Sequence, residues 1–133
     1  MVEQTLIVLK PDSVKQNLVG EILRRFEEKS FVIMKLKMFT MSRSEAEQFY
    51  SIHREKPFFN ELVNFITSGP IVAAIIEGSD AVNKVRAIIG ATKPSEAAPG
   101  TVRRNFGTSL TQNAIHASDS VESFIKESKV IFG

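Results

Sequence analysis

The chain has 133 residues, of which 43% are hydrophobic and 24% charged, with 7 Gly and 5 Pro. That is the size and make-up of one ordinary globular domain, expected to span residues 1–133, and it excludes collagenous, low-complexity and disordered chains. There is no Cys and there are only two His, which excludes disulfide scaffolds, thiolate metal sites and a His-rich metal centre, while the formal net charge of +2 suits a small anion better than a polynucleotide.

The N-terminus, Met1-Val2-Glu3-Gln4, places an acid before a short apolar run. This is unlike the basic start of a signal peptide, and no run approaches membrane-spanning length, so a cytoplasmic protein without membrane contact is expected. Residues 5–9 are β-branched and aliphatic, stopped by Pro11, and predict a buried strand. Val19, Ile22, Leu23 and Phe26 recur between Glu21, Arg24, Arg25, Glu27 and Glu28, the pattern of a helix of about three turns with one buried face. Val32, Met34, Leu36 and Met38 alternate with a parity that holds Lys35 and Lys37, as in a half-exposed strand.

Ser42-Arg43-Ser44-Glu45 is a capping box opening a helix through Tyr50. A further helix over residues 58–68 is closed by Gly69-Pro70. Residues 71–76 are continuously apolar, which assigns them to the middle of a sheet. Asp80 opens a helix whose Val82, Val85, Ile88 and Ile89 share a face, and Gly90 ends it. Residues 91–112 show no sustained period and are expected to form a long functional loop. Residues 113–116 predict a short last strand, and Asp119-Ser120-Val121-Glu122 caps a final helix towards Val130. This order of elements points to an α+β fold with helices over one face of a mainly antiparallel sheet.

Three features stand out chemically. Lys10 closes a buried strand, where open sheets present ligand-binding groups; the competing reading is a solvated lysine before a turn. Arg86, Thr92, Arg103 and Asn113 lie at or along the aperiodic stretch, as a polyphosphate clamp or as surface groups. His116 stands between a strand and a capped helix, either meeting an anion at the helix mouth or serving as a satisfied structural imidazole. His53, in His53-Arg54-Glu55-Lys56, reads as part of a solvated connector.

These pieces belong to a longer series. Lys10-Pro11-Asp12, His53-Arg54-Glu55-Lys56-Pro57-Phe58-Phe59, Thr67-Ser68-Gly69-Pro70, Gly90-Ala91-Thr92, Pro99-Gly100-Thr101-Val102-Arg103 and Asn113-Ala114-Ile115-His116-Ala117-Ser118-Asp119-Ser120 occur in that order. Together they closely resemble the nucleoside diphosphate kinase family over residues 5–132. The resemblance implies a ferredoxin-like βαββαβ core, a four-stranded antiparallel sheet with helices packed on it. It implies ping-pong transfer of the γ-phosphoryl of a nucleoside triphosphate to a nucleoside diphosphate through a phosphohistidine on His116, with broad base specificity.

Roles follow by position. Glu127 falls on the carboxylate that orients the imidazole, and Lys10, Arg86, Thr92 and Arg103 fall on phosphate ligands. Tyr50 falls on a support for the Lys10 and His116 region, and Asn113 on a partner of the sugar hydroxyls. Phe58, with Leu62 and Leu110, falls on the clamp around the base; Ser118 and Ser120 fall beside the nucleophile at the helix start. Mg²⁺ is implied, held mainly by nucleotide phosphates rather than by protein ligands. The implied partners are nucleoside di- and triphosphates and further copies of the chain, as tetramer or hexamer, with no specific nucleic acid.

The alternative is a non-catalytic nucleotide- or nucleic-acid-binding scaffold on the same fold. Against it stands the intact set His116, Glu127, Lys10 and Arg103, since a binding module has no need of a positioned imidazole. Some positions depart from the family's common pattern. Arg104-Asn105 stands where Gly-Asp is commoner, bringing a cation towards the phosphate loop. Ala117 stands where Gly is usual, and is expected to be strained if that position needs a positive φ.

Overall fold

The computed structural model describes residues 2–133. Among these, β1 (Val2–Leu9), β2 (Val32–Phe39), β3 (Ile71–Ser79) and β4 (Ile115–Ala117) form one sheet in the order β2-β3-β1-β4, with every neighbouring pair antiparallel. β1 and β3 are the inner strands, in register from Val2 opposite Ser79 to Leu9 opposite Val72. β1 and β2 are therefore parallel with β3 between them, which is the split βαβ arrangement of a ferredoxin-like core.

Around the sheet lie α1 (Pro11–Lys15), α2 (Val19–Glu28), α3 (Arg43–Phe49), α4 (Phe59–Ile66), α5 (Ala81–Ile89), α6 (Val102–Phe106) and α7 (Val121–Phe132). They cover both faces of the sheet, not the single face expected. Ile7, Leu9, Val72, Ala74 and Ile76 pack with Ile22, Phe26, Val85 and Ile89 on the side of α2 and α5. Leu6, Val8, Ala73 and Ile75 pack with Ala46, Phe49, Val63, Ile66 and Ile131 on the side of α3, α4 and α7. The reason lies in the inner strands, which are apolar on both parities and so need cover on both sides. Each Val, Leu, Ile or Phe side chain buried there contributes about 1.5–3 kcal/mol.

Local signals are realised where they are self-contained. The capping box forms completely, Glu45 N donating to Ser42 Oγ at 3.1 Å and Ser42 N donating to Glu45 Oε1 at 2.9 Å. Gly90 follows α5 with φ 92°, which favours glycine. Residues 91–112 are not the structureless loop expected, for they hold a 3₁₀ turn, Pro94–Glu96, and α6. A five-residue helix, like α1, is too short to show a period.

β2 departs from expectation more sharply. Val32, Met34, Leu36 and Met38, the parity expected to be buried, are between 49% and 60% exposed. Alternation specifies which residues share a face, but cover has to come from another element, and β2 is an outer strand.

Candidate active site

The site is built where β1 and β4 end side by side. Val8 pairs with His116 and Leu9 with Ile115, so Lys10, the next residue of the first chain segment, emerges beside the imidazole strand. Lys10 is 4% exposed and its Nζ donates to Asn113 Oδ1 at 2.8 Å and to the Thr111 carbonyl at 3.3 Å. Asn113 is held in turn by its Nδ2, which donates to the Thr92 carbonyl at 3.0 Å. The buried lysine, the amide and the stretch that follows α5 thus form one connected frame.

His116 is fixed from the opposite side. Ser120 caps α7, its Oγ accepting from Ser123 N at 3.0 Å, and Ser123 Oγ donates to Asp119 at 2.6 Å. This start directs α7 so that Glu127, 8% exposed, returns to the end of β4. Its Oε1 lies 2.8 Å from His116 Nε2 and also accepts from Ser118 Oγ at 2.8 Å. A carboxylate there takes the hydrogen of Nε2 and leaves Nδ1 as the ring nitrogen with a free lone pair. Aromatic edges complete the cage, with Phe49 at 4.9 Å and Tyr50 at 6.5 Å between ring centroids.

Two guanidinium groups flank the imidazole along the strand. Arg103, from α6, donates through Nη2 at 2.9 Å and Nε at 3.3 Å to the Ile115 carbonyl, and through Nη1 to the Gly90 carbonyl at 3.2 Å. Arg86, from α5, donates to the Ala117 carbonyl at 3.1 Å. The carbonyls immediately before and after His116 therefore each hold an arginine in place.

Crowding cations under cover shifts their acidities. Burial, with the Arg103 charge adding and Asp12 opposing, pushes Lys10 down to about 7. Burial and the neighbouring Arg86 bring Arg103 down to about 10, so it stays charged at neutral pH. Burial and then Glu127 push the Tyr50 phenol up, so it remains un-ionised. Several cationic groups gathered in a covered place make an environment that favours a bound anion.

Lys10, Tyr50, Phe58, Leu62, Arg86, Thr92, Arg103, Leu110, Asn113, His116 and Glu127, all singled out from the sequence, line one cavity of about 720 Å³. That is the size of a small-molecule site. Phe58, 40% exposed, and Leu110, 58% exposed, belong to its apolar part with Leu62. Ser118 and Ser120 do not line it; one bonds Glu127 and the other caps α7.

Some expectations are corrected. His53 is no solvated connector: it lies in a 3₁₀ turn, lines the cavity, and has its ring 5.7 Å from Phe58 and 6.4 Å from Tyr50. Burial first, then Lys56 and His116, lower its pKa, so it is neutral near pH 7. Its polar neighbours hid it, because a three-residue turn that folds inwards leaves no periodic trace. Asp119, a cap residue by sequence, also lines the cavity, with its pKa lowered chiefly by the Ser123 hydroxyl. Arg104 points away, donating to the Ser95 and Ala97 carbonyls, and so ties the segment instead of charging the cavity. Ala117 lies in β4 without a positive φ; that conformation falls on Ala114, at φ 75°.

Among the described residues no group of three or more His, Asp or Glu side chains is arranged to hold a metal ion. The cavity does offer the Asp119 carboxylate beside its cations. That donor set fits a hard divalent ion which arrives on phosphate oxygens and takes few protein ligands.

Comparison with known proteins agrees with this geometry. The family model described as nucleoside diphosphate kinase matches residues 3–133. The nucleoside diphosphate kinase of Staphylothermus marinus is 52% identical over 130 residues, covering 98% of this chain and 92% of that protein. That of Hyperthermus butylicus is 53% identical over 131 residues, with 98% and 92% covered. Among solved structures, the Aquifex aeolicus nucleoside diphosphate kinase superposes with a TM-score of 0.97 at 51% identity, covering 100% of this chain and 96% of that one. The Halobacterium salinarum enzyme, in complex with CDP, superposes with a TM-score of 0.95 at 40% identity, covering 99% and 88%.

Proposed function

The chain belongs to the nucleoside diphosphate kinase family and is an enzyme of that kind, and from this premise we propose that it works by a ping-pong mechanism through a phosphohistidine on His116. The observation that carries the reading is the Nε2 contact to Glu127 at 2.8 Å, which reserves Nδ1 for attack. Nδ1 attacks the γ-phosphorus of a nucleoside triphosphate, the bond to the β-γ bridging oxygen breaks, and the diphosphate leaves with that oxygen's electrons. The phosphoimidazolium so formed keeps its proton on Nε2, which donates to Glu127, and Ser118 Oγ donates to the same carboxylate. A second diphosphate then takes the phosphoryl group by the reverse course.

Lys10, Arg86, Thr92 and Arg103 bind the phosphates, where their charge and hydrogen bonds stabilise density spread over the transferring oxygens. Tyr50 keeps Lys10 and His116 at their spacing, and Asn113, already bonded to Lys10, receives the sugar hydroxyls. Phe58, Leu62 and Leu110 hold the base by apolar contact, which reads no hydrogen-bond pattern and so accepts many bases. A Mg²⁺ ion held mainly by the nucleotide phosphates, with the Asp119 carboxylate available to it, would offset phosphate charge. Its substrates are polyanions that do not cross membranes, so we assign the reaction to the cytoplasm. No helix among the described residues is long and apolar enough to span a membrane. The enzyme self-associates through β2, whose outer edge and exposed Val32, Met34, Leu36 and Met38 invite a second copy. No observation favours a non-catalytic scaffold.

The test is intact mass after incubation with MgATP, before and after excess GDP, with His116→Ala alongside. One acid-labile phosphoryl group is expected on the wild type, lost as GTP appears and absent from the variant. Label that persists in His116→Ala would assign the nucleophile elsewhere, and no label with no GTP would sink the mechanism.

A further inference from the structure

One buried acid in the molecule has no part in the chemistry described so far. Asp12, at the start of α1, is 8% exposed, and its Oδ2 accepts from the backbone N of Ala114 at 3.0 Å, across 102 positions of sequence. Its other oxygen, Oδ1, is buried and has no hydrogen-bond partner among the described residues. The backbone N–H groups of Asp12 and Ser13 are close by, and the well-formed bond of this carboxylate is the one to the Ala114 N–H.

That group sits in an unusual turn. Ala114 is fully buried with φ 75°, and Ile115 N donates to the Asn113 carbonyl at 2.9 Å, closing a three-residue γ-turn around it. A γ-turn with positive φ at an L-residue is the strained variety, and persists only where surrounding contacts over-determine it. Here every polar group of Ala114 is held from the same segment. Its N donates to Asp12, and its carbonyl accepts from Lys10 N at 3.0 Å and from Ser13 Oγ at 2.7 Å. The turn separates Asn113, which bonds the Lys10 ammonium, from Ile115, whose carbonyl holds Arg103, and His116 follows directly.

We infer that Asp12 is a positioning residue: by clamping the Ala114 amide it holds the strained turn that aims Asn113 and His116 into the cavity. Without the clamp Ala114 relaxes to negative φ, and the chain direction on both sides of it changes. The inference rests on the role proposed for His116, but it makes a separate claim about Ala114 that needs no activity to read.

The experiment combines Asp12→Ala, Asp12→Asn, Ala114→Gly and the double variant Asp12→Ala/Ala114→Gly. At saturating MgATP, Asp12→Ala is expected to slow His116 phosphorylation by about ten- to a hundredfold, the scale of a misplaced reacting group. Asp12→Asn keeps an acceptor oxygen and loses the charge, and is expected to recover most of the rate. A merely structural acid would move stability without this pattern, and a charge acting on Lys10 would leave Asp12→Asn as slow as Asp12→Ala. Thermal unfolding reads the clamp directly. Glycine takes a positive φ unaided, so Asp12→Ala is expected to lower Tm less in the Ala114→Gly background than in the wild type.

The inference is overturned by equal Tm losses in the two backgrounds, by a wild-type rate in folded Asp12→Ala, or by an Asp12→Asn as slow as Asp12→Ala. If Asp12→Ala does not fold, the double variant is expected to fold, and its failure to do so also overturns the inference. A wild type that transfers no phosphoryl group defeats the mechanism above instead, and the Tm comparison then decides Asp12 alone.

Discussion

Lys10 shows how much chemistry one position acquires from its surroundings. In the sequence it is a lysine between a strand and a proline; in the structure it is buried beside Arg103 with its pKa brought from 10.5 to about 7. In the empty protein its ammonium is therefore partly neutral at physiological pH. A phosphate placed against it favours the charged form, so nucleotide binding draws in a proton, and affinity for a nucleoside diphosphate falls as pH rises from 7 towards 9 or so. Titration calorimetry in buffers of different ionisation enthalpy checks this; proton uptake is expected in the wild type and not in Lys10→Met. An affinity that does not change over that range would show the lysine to be charged throughout. The same shift gives a second sign. Between pH 7 and 10 the unfolded chain binds more protons than the folded one at this group, so the empty protein gains stability with rising pH there. The type and place of Lys10 were readable from the end of an apolar run, but its shifted acidity was not, because desolvation and the Arg103 charge come from chain distant in sequence.

At the scale of elements, legibility follows length and locality. The capping box of α3 spans four consecutive residues and forms as read. α1 and α6 have five residues each, and neither was foreseen. Yet α6 carries Arg103, and its place depends on Gly90. A Cβ on Gly90 would stand 2.6 Å from Thr101 Oγ1 and 2.8 Å from Thr101 Cβ, and Thr101 is the residue that caps α6. The glycine was recognised as a helix stop, but its second duty, close approach to the next helix, is a tertiary contact. Gly90→Ala is expected to destabilise the fold by about 2 kcal/mol, from positive φ and the clash together. It should also raise the KM for nucleotide, since the Gly90 carbonyl holds Arg103. Chemical denaturation and steady-state kinetics check the pair. Loss of stability with an unaltered KM would mean that α6 keeps its position without this packing.

The molecule as a whole is arranged around two strand ends, with α3, α4 and α7 on one face of the sheet and α2 and α5 on the other. β2, an outer strand, carries little cover, with Leu36 56% and Met38 60% exposed. The proposed self-association predicts that Leu36→Glu with Met38→Lys gives a smaller species by light scattering than the wild type. A wild-type chain that is monomeric at micromolar concentration would remove β2 from that role. By itself the sequence determined the order of the longer elements and the inner position of β3, and its family resemblance pointed to most of the site residues described above, though not to His53 or Asp119. The first two rest on short-range periodicity and capping chemistry, the last on a series of motifs whose order along the chain resembles one family. Tertiary structure alone decided that helices cover both faces, that His53 turns inwards, that Arg104 points away, and that the strained backbone lies at Ala114 instead of Ala117. Each of these depends on which distant segment supplies the opposing surface, charge or hydrogen-bond acceptor, and local spacing along a chain does not encode that partner.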